Sequence, residues 1–188
     1  VKDLDLITKI ESGESILNKN KFDIINLTEN VFEMLEFTAK KKKIKLTVNK
    51  DKGLLTKVIA DKEKIEQVLT NLIDNSIKYG KDYGTTEIVI QSLNEDKIIV
   101  RVTDNGVGFK KENYTRIFER FFRVDRSGSR SAGGSGLGLA IVKHIIDAHD
   151  EKIYVESEFG VGSEFSFTLE KAKSVSYTHL TLPTTTIV

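Results

Sequence analysis

Three polar side chains fall in line on a segment whose other positions are patterned for burial. Asn71, Asn75 and Lys78 are spaced so that a helix, which advances about 100° per residue, carries them on one face. An amide oxygen is a hard ligand of the kind that Mg²⁺ takes, and an ammonium group offers a point charge to phosphate. The ring of the adjacent Tyr79 could lie against a nucleobase. An ordinary polar helix face would show the same residues, so both interpretations stay open.

The segment DNGVG at 104–108 directly follows a predicted strand. Gly106 and Gly108 allow a tight turn and the close approach of a ligand to the backbone. Asp104 presents an acceptor that would suit the exocyclic amine of adenine. An Asp-Asn-Gly sequence is also a common turn, so this motif is weak when it stands alone.

Glycines alternate at Gly134, Gly136 and Gly138, immediately before a predicted helix. Free N–H groups at a helix N-terminus hold anions well, so this segment is a candidate phosphate contact. It is neither a Walker A loop nor a dinucleotide-binding turn, because the required Gly-Lys-Ser/Thr and G-x-G-x-x-G spacings are both missing.

The sequence IFERFFR at 117–123 sets two arginines among three phenylalanines. The aromatic rings could anchor a loop while Arg120 or Arg123 reaches a phosphate. A surface salt bridge explains either arginine equally well.

Hydrophobic periodicity supplies the elements that must position these residues. It predicts helices at 26–43, 61–79 and 137–148. It predicts strands at 22–25, 44–49, 58–60, 87–93, 97–103, 152–157 and 163–169. Hairpin strands interleaved with helices favour an α+β fold, a two-layer α/β sandwich whose mixed, mostly antiparallel sheet packs on three helices.

Local signals predict the ends of two helices. Asp61 is a natural N-cap for the helix at 61–79 and Gly80 terminates it, whereas Asn26 or Thr28 would cap the helix at 26–43. The predicted buried face of the helix at 61–79 consists of Ile65, Val68, Leu69, Leu72 and Ile73.

Composition limits the class of protein without identifying it. The 188 residues are 39% hydrophobic and 30% charged, as in an ordinary globular domain. A net charge of +1 does not favour nucleic acid as a partner, and the lack of cysteine excludes disulfides and thiolate metal sites. No apolar run approaches the roughly 20 residues that cross a bilayer.

In this order, the four segments resemble the motifs of the catalytic ATP-binding domain of sensor histidine kinases. That domain belongs to the superfamily of gyrase, heat-shock chaperone and mismatch-repair ATPases. Residues 71–79 resemble its N box, 104–108 its G1 box, 117–123 its F box and 134–139 its G2 box, and 160–163 resemble the glycine turn before its last strand. The resemblance covers about residues 1–170, and the ordered set is far more specific than any single motif.

The resemblance implies a Bergerat-type ATP-binding fold with ATP and Mg²⁺ as cofactors. Asn75 would be the metal ligand, Asn71 a polar contact near the phosphates and Lys78 a phosphate contact. Arg123, rather than Arg120, is the candidate for the γ-phosphate. The implied catalytic residues are Asn71, Lys78 and Arg123.

At the other end of the nucleotide, Asp104 would accept from the adenine amine and Tyr79 would pack beside the ring. The full set of implied nucleotide-binding residues is Asn71, Asn75, Lys78, Tyr79, Asp104, Gly106, Gly108, Arg123, Gly134, Ser135, Gly136, Leu137, Gly138 and Ser163.

The resemblance also implies a division of the chain. Residues 1–17 look like the end of a dimerisation and histidine-phosphotransfer helix, and 18–173 like the catalytic domain with a lid at about 107–136. Residues 174–188 hold the only proline and a dense threonine cluster, and we interpret them as a non-native or disordered tail.

Two departures from the family pattern stand out. Asp150 and Glu151 replace a frequent pair of glycines, which puts a turn in doubt. The phosphoacceptor helix is missing, and His149, although followed by acids, lacks the Thr-Pro that should come after it. We therefore expect no autophosphorylation by this chain alone.

The leading hypothesis is the ATP-binding part of a two-component sensor histidine kinase. It would bind Mg-ATP and pass the γ-phosphoryl group to a histidine on a separate domain. Its partners would be that dimerisation and phosphotransfer domain and the receiver domain of a response regulator, with no nucleic acid. The resemblance also implies a cytoplasmic location without membrane contact by this chain, whose parent protein can be membrane-anchored.

Two alternatives remain. A water-using ATPase of the same superfamily typically has a glutamate at the position of Asn71, and an amide has no useful basicity. Asp74 is near but lies about 60° around the helix from Asn71. A non-catalytic nucleotide-sensing module would keep the binding residues without turnover.

Overall fold

The computed structural model describes residues 16–124 and 136–173, together with Leu4, Asp5 and Thr8, which are helical. The assignments of 174–188 as a tail and of most of 1–17 as a helix end therefore lie outside the described residues. So does the part of the predicted lid that contains Gly134 and Ser135.

The described residues from 16 onward form three helices and seven strands. The helices are α1 (Ile24–Lys41), α2 (Lys62–Lys78) and α3 (Gly138–Ala148). The strands are β1 (Asn20–Asp23), β2 (Lys45–Lys50), β3 (Lys57–Ala60), β4 (Thr85–Ser92), β5 (Lys97–Asp104), β6 (Ile153–Glu158) and β7 (Gly162–Lys171). A short 3₁₀ turn lies between β5 and α3, at Lys111–Asn113.

The seven strands form one mixed sheet in the order β1-β3-β7-β5-β4-β2, and β6 also pairs with β7. Among the pairs that these described strands make, β2–β4 alone is parallel. The central helix α2 contacts both α1 and α3 and packs on β4 and β5. The predicted α+β sandwich, with a mostly antiparallel sheet on three helices, is confirmed.

The core lies between the helices and one face of the sheet. All five apolar residues predicted for the inner face of α2 are at most 1% exposed. On β7, Phe165, Phe167 and Leu169 point the same way and are buried. The opposite face of the sheet is polar, where Arg101 donates to Gln91 and pairs with Glu164 at 3.1 Å.

Asp23, not Asn26 or Thr28, caps helix α1. Its carboxylate accepts from the Ile25 amide at 2.8 Å and from the Thr56 hydroxyl at 2.9 Å. The apolar residues around Asp23 are typical of a strand, so the pattern predicts a strand at 22–25 and a later helix start, whereas β1 ends at Asp23 and α1 begins at Ile24. Thr28 is instead buried within the first turns and donates to a backbone carbonyl.

Asp150 and Glu151, which follow α3, form a turn and also connect the end of this helix to the sheet. Asp150 takes a left-handed backbone conformation (φ 57°), where a glycine would meet no strain. Glu151 is buried, accepts from Lys97 Nζ at 2.6 Å and from the Thr168 hydroxyl at 2.7 Å, and so ties the end of α3 to β5 and β7.

His149 joins the end of α3 to the start of α2. Its Nε2 accepts from the Asp61 amide at 3.0 Å, and its Nδ1 lies 2.8 Å from the Ile145 carbonyl, to which it donates. The side chain of Asp61 in turn caps α2, as predicted, and accepts from the Asn18 amide. With both nitrogens engaged and only 5% of its surface exposed, His149 serves a structural role.

We expect the stability of the protein to depend on His149 at mildly acidic pH. Burial lowers the pKa of His149 below its ordinary 6.5. Between the pKa of His149 in the folded protein and its pKa in the unfolded chain, the unfolded chain binds more protons. The contribution of His149 to the free energy of unfolding is therefore complete above about pH 6.5 and is lost as the pH falls below that value. Urea unfolding at about pH 7.5 and about pH 5.5 measures this loss.

The control is His149→Gln, which keeps a donor and an acceptor but does not titrate in this range. The variant should be less stable at neutral pH and lose less stability on acidification. Equal losses in the two proteins would contradict the assignment to His149.

Candidate functional site

A cavity of about 590 Å³ opens where α2, the end of β5, the start of α3 and residues 107–124 meet. All four segments singled out in the sequence contribute to its wall. The described residues that line it are Asn71, Asp74, Asn75, Lys78, Tyr79, Asp104, Val107, Gly108, Phe109, Ile117, Phe122, Arg123, Val124, Gly136, Gly138, Leu139, Phe159 and Ser163.

Helix α2 contributes its polar face. Asn71, Asn75 and Lys78 all line the cavity, because the opposite face of the helix is buried in the core. The amide of Asn71 donates to the Gly138 carbonyl at 3.3 Å, so it also fixes the first turn of α3 against α2.

Asp74 lies on the same wall, although its position in the sequence predicts a place around the helix from the Asn71 face. Its carboxylate pairs with Lys78 Nζ at 3.0 Å, and both side chains are about one-third exposed (31% and 32%). The cavity contacts a broader part of the helix surface than the face that carries Asn71, so a residue about 60° around the helix also lines it. The ammonium of Lys78 therefore has an acidic partner inside the site.

Asp104 forms the polar floor at the end of β5. It is 9% exposed, and its Oδ1 accepts from the Gly106 amide at 2.9 Å. Burial raises the pKa of this carboxyl, opposed by hydrogen bonds from the backbone amides of Gly106 and Ser163. The result is a desolvated acceptor held in one orientation.

The glycines after Asp104 are required by packing. A Cβ on Gly106 would run into the Tyr79 carbonyl, and one on Gly108, at φ 62°, into the Glu158 carbonyl. Gly108 lines the cavity, whereas Gly106 does not and instead packs behind Tyr79. The Val107 amide donates to the same Tyr79 carbonyl at 3.1 Å, which joins this turn to the end of α2.

The remaining predicted residues also divide into those that line the cavity and those that pack behind it. Tyr79, Arg123, Gly136, Gly138 and Ser163 line the cavity. Leu137 precedes α3, is 4% exposed and belongs to the hydrophobic core, where its side chain contributes packing. Gly134 and Ser135 lie outside the described residues.

Several apolar residues on the wall were missed. Phe109, Ile117 and Phe122 line the cavity and also pack on the core. No sequence signal separates such residues from ordinary core positions. In the segment 117–123, the aromatic ring of Phe122 is covered by the guanidinium of Arg116 at 4.5 Å, an arginine just ahead of the motif.

A family profile described as "Histidine kinase-, DNA gyrase B-, and HSP90-like ATPase" matches residues 60–173, and the chain belongs to this ATPase family. Relatives of the chain include sensor histidine kinases. The chain is 33% identical over 171 residues to the sensor histidine kinase WalK of Bacillus subtilis, which is 90% of this chain and 28% of WalK. The chain thus spans less than a third of that relative.

Solved structures agree with this placement. The catalytic domain of histidine kinase ThkA superposes with a TM-score of 0.70 at 29% identity, over 82% of this chain and 97% of that chain. Full-length ShkA in complex with AMPPNP superposes with a TM-score of 0.80 at 27% identity, over 92% of this chain and 35% of that chain. The resemblance to histidine kinase catalytic domains is confirmed, and with it the use of ATP that the family implies.

No helix among the described residues is long and apolar enough to cross a membrane.

The packing requirement at Gly106 can be tested by stability. Gly106→Ala should lower the free energy of unfolding by about 2–3 kcal/mol, because the added Cβ would lie 2.2 Å from the Tyr79 carbonyl oxygen and backbone cannot turn aside as a flexible side chain could. Gly138→Ala is the matched control, since its Cβ would lie 4.0 Å from Asn71 Cγ, an ordinary contact, and should change stability little. Urea unfolding checks both, and equal stabilities would refute the close packing.

Proposed function

We propose that this chain binds Mg-ATP and donates the γ-phosphoryl group to a histidine on a separate domain. The observation that carries the proposal is the convergence of Asn71, Asn75, Lys78 and Asp104 on one cavity of about 590 Å³. That volume is typical of pockets that enclose small-molecule ligands and cofactors.

We assign the adenine ring to the end of the cavity near Asp104. A buried carboxylate that already accepts from the Gly106 amide offers a directed acceptor for the adenine amine. Tyr79 and the apolar side chains of Phe109 and Ile117 would enclose the ring. A guanine carbonyl at that position would face the carboxylate without a shared proton, which favours ATP over GTP.

We assign the phosphates to the end near α2 and the start of α3. Lys78 supplies positive charge there, and Asp74 would compete for it with a phosphate. Gly136 and Gly138 lie where α3 exposes its first N–H groups. We extend this phosphate contact to Gly134, Ser135 and Arg123 by the resemblance of their motifs.

The donor set fits Mg²⁺ shared with phosphate. No cluster of three or more His, Cys, Asp or Glu that could hold a metal occurs in the described part of the chain. Mg²⁺ commonly takes one or two protein oxygens, with waters and phosphate oxygens completing its shell. The Asn75 side-chain oxygen would hold the metal, which supplies charge neutralisation at the phosphates when bound.

Asn71 would contribute by orientation. Its hydrogen bond to the Gly138 carbonyl holds the two helices that flank the phosphates at a fixed separation. Phosphoryl transfer depends mainly on positioning and charge neutralisation, so a rigid amide contact suits this site.

A water-using ATPase is the second candidate. The observation that favours it is the carboxylate of Asp74 on the cavity wall. The ion pair with Lys78 engages that carboxylate, and Asn71 cannot act as a base. The ion pair of Asp74 and the lack of a base at Asn71 both favour transfer to histidine over hydrolysis.

We further propose two partners, a dimerisation and histidine-phosphotransfer domain and the receiver domain of a response regulator. The relatives support this, because WalK is named a sensor histidine kinase and is much longer than the matched region. Because ATP is the donor, we place the activity in the cytoplasm.

Binding and transfer can be separated in one experiment. Calorimetry with ATP, with and without Mg²⁺, should show Mg-dependent binding by this chain and its loss in Asn75→Ala. Adding a separately purified histidine-phosphotransfer domain and γ-labelled ATP should then yield an acid-labile phosphohistidine on that domain.

Each other outcome contradicts part of the proposal. Unchanged affinity in Asn75→Ala would overturn the metal assignment. Release of inorganic phosphate over many turnovers without acceptor would support the water-using ATPase. Binding without any transfer would support a nucleotide-sensing module.

Asp104→Asn tests the adenine contact. Loss of a charged acceptor should weaken ATP binding about tenfold or more and reduce the preference for ATP over GTP. Because the pKa of Asp104 is raised, ATP binding by the unaltered chain should weaken on acidification more steeply than in the variant, which corrects for titration of the phosphates.

Dissociation constants at about pH 7.5 and about pH 5.5 measure both effects. Asp96→Asn, an exposed change in the β4–β5 hairpin, is the matched control and should alter neither. Equal affinity of the unaltered chain for ATP and GTP would rule out the contact.

A further inference from the structure

The ammonium group of Lys42 is seated on the C-terminal end of α2. Lys42 Nζ lies 3.0 Å from the Ile77 carbonyl, 2.6 Å from the Lys78 carbonyl and 3.2 Å from the Gly80 carbonyl. These carbonyl groups lie at and just beyond the last turn of the helix, where the macrodipole is negative. The half-buried ammonium group of Lys42 therefore donates all three of its hydrogen bonds to backbone carbonyl groups at the end of α2.

The need for this cation follows from how two helices end. Lys42 is also the C-cap residue of α1, where its amide donates to the Ala39 carbonyl at 3.1 Å. The C-termini of α1 and α2 thus meet, and the negative ends of two helix dipoles face the same small volume. A positive charge at that point stabilises both ends. An apolar side chain would remove one donor from each of the three carbonyl groups, and the Ile77 carbonyl would keep the Gly80 amide as a donor at 3.2 Å.

The backbone under Lys42 leads directly to the cavity. The side chains of Lys78 and Tyr79 line it. The Tyr79 carbonyl accepts from the Val107 amide at 3.1 Å, and Gly106 packs on the same carbonyl while its amide donates to Asp104. A shift of the end of α2 would therefore move both the phosphate end and the base end of the site.

That backbone has little room to adjust. A Cβ on Gly80 would lie 2.7 Å from the Ser76 carbonyl and 2.8 Å from Ile44 Cδ1. Gly106 also packs directly on Tyr79 and on the Gly80 Cα, so a displacement of the end of α2 would have to displace the turn at 106–107 as well. The contacts of Lys42 thus act on the site through Tyr79 and Lys78.

We infer that Lys42 is a positioning residue for the nucleotide site, which it holds in place by seating the end of α2 against the turn after β5. It acts through Tyr79 and Lys78 and does not itself touch the ligand. The inference rests on the proposed function for the identity of the ligand, ATP, but its structural part does not.

The test compares Lys42→Met, Lys42→Arg and the control Lys40→Met. Lys40 lies two residues away, is 73% exposed and pairs with Glu36 across one turn of α1. Hydrogen exchange of the Val107 amide in the protein without nucleotide measures the contact with Tyr79. Dissociation constants for Mg-ATP are measured well below each variant's unfolding temperature, so that a loss of global stability alone does not alter them.

Lys42→Met should speed exchange at Val107 and weaken Mg-ATP binding about tenfold, a loss typical of groups that orient a binding residue. Lys42→Arg keeps the charge and several donors and should recover both properties, and Lys40→Met should leave both unchanged. A lower unfolding temperature with unchanged exchange and unchanged affinity in Lys42→Met would show a merely structural role and overturn the inference. Failure of Lys42→Arg to recover either property would also overturn it.

The two proposals fail in distinguishable ways. If the unaltered chain binds no Mg-ATP, the proposed function fails, and exchange at Val107 still tests whether Lys42 positions the turn. If the unaltered chain binds Mg-ATP and Lys42→Met binds equally well, only the positioning role fails.

Discussion

Helix α2 must satisfy two environments at once, and the rest of the site depends on how it does so. Its inner face carries Leu69 and Leu72, which are at most 1% exposed, and burial of such side chains is the dominant favourable contribution to folding. That face is buried in only one orientation of the helix about its own axis. The same packing therefore turns Asn71, Asn75 and Lys78 towards the cavity, so the core of the protein orients its polar groups without help from a loop.

The second constraint is backbone packed directly on backbone. Gly106 lies on the Tyr79 carbonyl, Gly108 on Glu158 and Gly162 on the Asp104 carbonyl, each without space for a Cβ. These contacts bring the end of α2, the turn after β5 and the β6–β7 turn into one rigid unit. A glycine-rich sequence is usually interpreted as flexible. Here the glycines let backbone segments pack directly against each other without gaps, and a preorganised binding site requires such close packing.

Long-range periodicity made the fold and one wall of the site predictable. The repeat in α2 is strong enough to identify both its buried face and its polar face from the sequence alone. Local chemistry was harder, since the apolar residues around Asp23 suggest a strand and hide its capping role. Lys42 was not predictable, because nothing in a run of four lysines shows that one of them reaches three carbonyl groups on another helix. Apolar wall residues such as Phe109 carry the same signal as core residues.

Under the proposed transfer to histidine, the chemistry of the nucleophile explains why amides suit this site. Water must lose a proton to attack a phosphorus atom effectively, so a water-using enzyme benefits from a basic group at the position of Asn71. A histidine side chain, with an ordinary pKa of about 6.5, is largely neutral at physiological pH and already has a free lone pair. A site that serves such an acceptor needs orientation and charge neutralisation more than basicity. The hydrogen bond of Asn71 to Gly138 and the ion pair that engages Asp74 are what this requirement predicts.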